Sequence, residues 1–175
     1  MKTTTFLTGT VAGAMKLFEY YRNGPVAMHK LQPGFIFQQC VDAVLEKQGI
    51  STVECGLGDH CLIDAGLALQ LKTTVQDTHD DRIIFCRSSL KGRSAAEQKS
   101  LRINDVESRI LDMFGQTGTS QLVLVHVNLF NKNVKIFQLH DGNGVVGNWL
   151  KPENVVTPFK QTHFWVKTRH MIELA

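Results

Sequence analysis

The sequence predicts an α+β domain, with helices in its first two-thirds and antiparallel strands in its last third. Three observations predict it. Apolar residues recur at helical spacing over two stretches before residue 50. The composition changes at Gln121 into a β-branched run. Helices first and strands afterwards are the α+β pattern. A length of 175 residues, 43% hydrophobic and 20% charged, suits one soluble domain. The expected organisation is a single domain over 1–175, with a helical half over about 10–115 and a sheet half over about 121–173.

Residues 1–9 are polar and read as a frayed terminus. Val11, Met15, Phe18 and Tyr21 mark a helix over 10–23, which Gly24-Pro25 ends. Pro33-Gly34 reads as a turn. Phe37, Cys40, Val41, Val44 and Leu45 then form one stripe, with Gly49 as a C-terminal cap. Residues 50–60 read as a loop. Arg82 to Cys86 fits a short strand after a polar segment. Ser94 and Glu97 have the spacing of a capping box, opening a helix that runs to about Phe114. Gly115 to Ser120 reads as a loop. Residues 121–130 and Val134 to His140 form a hairpin about Asn131-Lys132-Asn133. Asp141 to Gly144 is a second turn, and shorter strands follow near 145–149, 154–158 and 163–173.

The chemistry is concentrated in Gly56-Leu57-Gly58-Asp59-His60-Cys61 and the Ala/Leu-rich run to Leu71. Asp59 has the character of an N-cap, and the run after it is rich in helix formers. That places Cys61 in a first helical turn, where unpaired N–H groups and the helix dipole favour a thiolate. A thiol nucleophile needs an imidazole base and a group that orients it. His126 interrupts an otherwise apolar strand, and Asp141 lies 15 residues on, after the next strand. Facing of His126 and Asp141 centres the turn between Asn133 and Val134, so a bulge or longer loop has to absorb the difference from a turn at Lys132.

Cys61 at a helix start, His126 on a strand and Asp141 after the following strand resemble the papain-like cysteine protease superfamily. The likeness is to its compact bacterial effector members, the YopT-type proteases and the glutamine deamidases of the OspI and Pasteurella toxin kind. In these a Gly-rich turn leads into the cysteine helix, and the acid sits in an Asp-x-Asn-x-Gly-like turn. Here that turn reads Asp141-Gly142-Asn143-Gly144. The resemblance covers roughly residues 56–144 and implies a papain-like fold, N-terminal helices packed on a C-terminal antiparallel sheet. It also implies a secreted effector or toxin. The expected activity is hydrolysis of an amide in a protein substrate, as deamidase or protease, through an acyl-thioester and without a cofactor. Gln39 and Gln48 are too distant in sequence to assign as oxyanion donors, which leaves the backbone N–H of Cys61 for that role. The role of His60 is open.

Two alternatives compete. Cys55, His60, Cys61, His79 and Cys86 are soft ligands that could bind zinc, although no pair has the short spacing structural zinc prefers. A catalytically inactive binding module on the same fold is the other. A formal charge of +3 with no dense basic run gives no argument for a nucleic-acid partner. No apolar run approaches the ~20 residues of a membrane span, and the N-terminus is too polar for a signal peptide. Four irregularly spaced cysteines do not make a disulfide scaffold. The cysteine usage points to a reducing compartment, and the resemblance implies a host cytosol reached by an effector-type route, or the cytoplasm.

Overall fold

The computed structural model describes residues 3–23, 32–75 and 81–175. Its helices are α1 (Thr3–Asn23), α2 (Pro33–Lys47) and α3 (Ala95–Thr117). Its strands are β1 (Val53–Cys55), β2 (Gly58–Leu62), β3 (Leu67–Thr74), β4 (Arg82–Arg87), β5 (Gln121–Asn128), β6 (Asn133–His140), β7 (Val155–Val156), β8 (His163–Lys167) and β9 (Ile172–Glu173). The main sheet runs β1-β2-β3-β5-β6-β9, and a smaller one runs β4-β8-β7. No helix of the described residues is long and apolar enough to cross a membrane.

The α+β class is as the sequence predicts, but the distribution of elements differs in two ways. Four strands lie before residue 115, and the main sheet is mixed because β3 and β5 pair in parallel along their whole length, Leu67 with Gln121 to Thr74 with Asn128. The run after Asp59 is thus strand and turn, with Cys61 in β2 and not in a helix. A short 3-10 turn, Ile63–Ala65, closes at Gly66 with φ +63°, a conformation that suits glycine. The chain then returns as β3. An apolar run buried on both faces is the signature of a central strand and cannot be told from a helix by periodicity.

Other boundaries move for local reasons. The first helix begins at Thr3, so residues 3–9 are helical and not a frayed terminus. Pro33 and Gly34 form the first turn of α2, where proline's missing N–H costs nothing. Helix α3 continues through Gly115 to Thr117 and ends at Gly118, φ +71°. Residues 24 and 25, read as the stop of the first helix, lie outside the described residues.

The sheet divides the core. On one face α1 and α2 bury Leu7, Val11, Phe37 and Val41 against Leu62, Leu69, Val123 and Val125. Phe18 and Phe37 meet edge to face across the helix pair, 6.1 Å between centroids. On the other face α3 brings Val106, Ile110 and Met113, and the small sheet brings Phe85, Phe164 and Val166, against Cys61, Ala68, Leu122 and Leu124. Alternation along each strand therefore assigns every side chain of β2, β3 and β5 to one layer or the other.

Candidate functional site

Cys61 is fully buried and bonded to Cys55 in a disulfide. The bond closes the β1–β2 hairpin beneath Gly58. A Cβ at Gly58 would stand 3.1 Å from Cys55 Sγ and 3.2 Å from Cys61 Sγ, so any side chain there would press on both sulfurs. Register separates the three predicted triad residues. Cys61 pairs with Ala68, Ala68 with Leu122, and Leu122 with His140. His126 lies two strands over and four residues along, about 16 Å away by sheet spacing. It pairs with Lys72 and Lys135, and its Nε2 is 3.5 Å from Thr74 Oγ1. Asp141 is exposed, and its carboxylate accepts from the N–H groups of Asn143 and Gly144 at 2.9 and 3.1 Å, which hold its pKa below the usual range. The turn sits at Asn131–Asn133, with Lys132 at φ +61°, and not further on. The hairpin therefore pairs His126 with Lys135 in place of Asp141.

The other candidates are equally dispersed. His60 faces the opposite layer, where its Nδ1 is 2.8 Å from Asp42 Oδ1 of α2. Its Nε2 is buried with no hydrogen-bond partner. Of the soft ligands, Cys55 and Cys61 bind each other, and burial pushes the Cys86 thiol up to about 11. His79 lies outside the described residues.

A different constellation forms one row from Cys61. Antiparallel pairing of His60 with Leu69 sets Asp59 beside Gln70. Gln70 and Lys72 alternate on β3, so Asp59, Gln70 and Lys72 share the α3 side of the sheet. All three are buried or half-buried. Asp59 Oδ2 accepts the Leu71 N–H at 2.5 Å, so it replaces a ladder partner and does not cap a helix. The Gln70 amide turns its oxygen to Lys72 Nζ at 2.9 Å, and its nitrogen donates to the Leu57 carbonyl. The reverse orientation would donate to Asp59 Oδ2 over a long 3.4 Å. It would also set nitrogen against ammonium and oxygen against carbonyl, and two such conflicts outweigh one long bond. Gln70 Oε1 and Asp59 Oδ2 are then two acceptors about 3.4 Å apart beside an ammonium.

Burial governs the charges of this group. It raises the Asp59 pKa, against the Leu71 N–H and the charges of Lys72 and His60, and Glu54 raises it further. It lowers the Lys72 pKa, against the charges of Asp59 and Cys86. Both shifts come from taking the ion out of water. Among the described residues no group of three or more His, Cys, Asp or Glu could hold a metal ion. The oxygens here come from one carboxylate and one amide. The sequence carried a signal for this site: two polar residues at alternate positions inside an apolar run, which is the mark of a strand with one functional face.

The chain matches no protein-family profile, no curated protein and no solved structure.

Proposed function

We propose that the chain is a divalent-cation-assisted phosphodiesterase that cleaves nucleic-acid strands at Asp59, Gln70 and Lys72. One observation carries the reading: two oxygen acceptors from adjacent strands, held about 3.4 Å apart beside a half-buried ammonium. Facing acceptors call for a positive charge, and the Lys72 ammonium beside the Gln70 oxygen supplies one. Magnesium is bound through one or two protein oxygens, with water and substrate phosphate completing its shell. Such a cation would polarise the phosphoryl oxygen and activate water. Asp59 and Gln70 hold their oxygens on rigid strands. Lys72 neutralises charge on the phosphoryl group, and its depressed pKa makes it a readier proton donor to the departing alkoxide. Water adds to phosphorus and gives up a proton to solvent, the P–O bond to the leaving group breaks, and the alkoxide takes up the proton of Lys72, which solvent then restores. The lack of a basic run bears on tracking along a backbone and does not weigh against one phosphate site.

The test is cleavage of a fluorescently labelled oligonucleotide with Mg²⁺ or Mn²⁺, with chelator as control. Asp59→Asn and Lys72→Gln should each lower the rate by about a hundredfold or more while the folded spectrum is kept. Full activity in either variant, or no cleavage by the parent protein with either metal, would overturn the proposal. The cysteine-hydrolase expectation separates in the same variants. It requires amidase activity lost in Cys61→Ala and His126→Ala and kept in Asp59→Asn.

A further inference from the structure

We infer that the groove beside Lys72 receives an unpaired nucleobase, so that the substrate is a single strand or a strand opened at the cleaved position. The inference rests on the phosphodiesterase reading for its scissile bond, and on the groove for everything else. The groove lies where the start of α2 and the end of β3 meet β4 and β8. Phe35, Gln38, Lys72, Thr74, Arg82 and Trp165 line it, and among the described residues none that line it is acidic. Phe35 is 53% exposed, although it sits in the first turn of a helix whose other aromatic, Phe37, is fully buried. Trp165 is half-buried on β8, its strand fixed by pairing with Ile84 on one side and Val156 on the other. His163 meets its ring edge to face at 6.1 Å.

Each feature selects the same occupant. Indole and phenyl faces accept any flat π-system. The Gln38 amide offers a donor and an acceptor to a base edge. Lys72 brings an ammonium to the groove, which suits a base carried on phosphates. A stacked duplex keeps its base faces covered, so a base reaches these rings only when it leaves the stack. The groove shares Lys72 with the candidate site, so a base seated there is attached to a phosphate close to the reacting group.

Tryptophan fluorescence of the full chain provides the measurement. Of the two tryptophans, Trp149 is 0% exposed, so quenching by a bound base reports on Trp165. The Asp59→Asn chain is titrated at low salt with a short oligothymidylate and with an abasic oligomer of equal length and charge. Oligothymidylate should quench fluorescence and bind at least about tenfold more tightly than the abasic oligomer. Trp165→Leu should bring the ratio close to one and leave abasic binding unchanged. Phe35→Ala, at an exposed position, should lower the ratio and serves if Trp165→Leu does not fold. Equal affinity for the two oligomers without quenching, or tighter binding of duplex than of single strand, overturns the inference. Base-selective quenching in a chain that cleaves no phosphodiester would leave the groove standing and remove the phosphodiesterase reading. Cleavage without base selectivity would do the opposite.

Discussion

Asp59 and Lys72 carry charges that burial opposes, and the signs of their shifts give a pH prediction. The metal-free carboxylate forms only above a raised pKa, so at sub-saturating metal the rate should rise through a pH above the ordinary carboxylate value. The ammonium is lost at a lowered pKa, so the rate should fall below the ordinary lysine range. A pH profile of kcat/KM should be bell-shaped and narrower on both limbs than two exposed groups would give. Lys72→Arg, which does not deprotonate, should retain the acid limb and lose the alkaline one. An unchanged alkaline limb in Lys72→Arg would remove Lys72 from that role. The same shifts bear on stability. What Asp59 contributes is present at low pH and lost as pH rises through its folded pKa. What Lys72 contributes is present at high pH and lost as pH falls through its folded value. Burial thus opposes the charged form of both groups. The double variant Asp59→Asn, Lys72→Met should be inactive and melt no lower than the parent, since replacing charges that burial opposes is often neutral or stabilising. A melting temperature well below the parent's would show that the pair holds the fold. Single side chains of this kind were only partly legible in the sequence. Asp59 read as a helix cap because the residues after it are good helix formers. Their burial between two layers, which makes them strand, depends on partners far along the chain.

Elements were legible where the signal is local. Ser94 Oγ accepts the Glu97 N–H at 3.2 Å, and the Glu97 carboxylate reaches back to the N–H of Arg93 at 2.6 Å, one residue before the cap. Ser94→Ala should therefore lower stability by about 1 kcal/mol, seen as a fall of about 2–4 °C in melting temperature. No change would mean that the Glu97 contact alone holds the helix start. The stripe of α2 and the hairpin of β5 and β6 were readable for the same reason: residues a few positions apart determine them. The β1–β2 hairpin was not. Three-residue β1 carries little periodicity, and the Cys55–Cys61 bond is visible only once the strands pair. Closing a loop with a sequence separation of 6 should contribute about 2 kcal/mol by restricting the unfolded chain. Denaturant midpoints with and without a dithiol reductant measure it, and coincident midpoints with both sulfurs shown to be free would remove the contribution. Reduction should also slow phosphodiester cleavage, because the bond closes the hairpin that carries Asp59.

At the scale of the molecule, two sheets must hold a fixed relation for Lys72 on one and Trp165 on the other to face a common groove. Their pairing in space was the least legible feature of the sequence, since β3 and β5 are joined through β4 and α3, and no local pattern reports a parallel pair so separated. Arg102 supplies much of the connection. It is 1% exposed, and its guanidinium donates to the carbonyls of Leu90 at 3.1 Å, His163 at 3.2 Å and Gln161. One side chain of α3 thus holds both the segment before that helix and the entry to β8. The planar fork matches carbonyls in three directions, which a lysine ammonium on a flexible stem does not reproduce. Arg102→Met should leave those carbonyls without donors and cost about 3 kcal/mol or more, a fall of roughly 6–12 °C in melting temperature. Arg102→Lys should recover part of the stability. It should still loosen β8 against the main sheet, so base-selective quenching of Trp165 should weaken more than the binding of an abasic strand. A loss below about 1 kcal/mol in Arg102→Met would mean that the apolar contacts of Phe85, Phe164 and Val166 hold the small sheet without it.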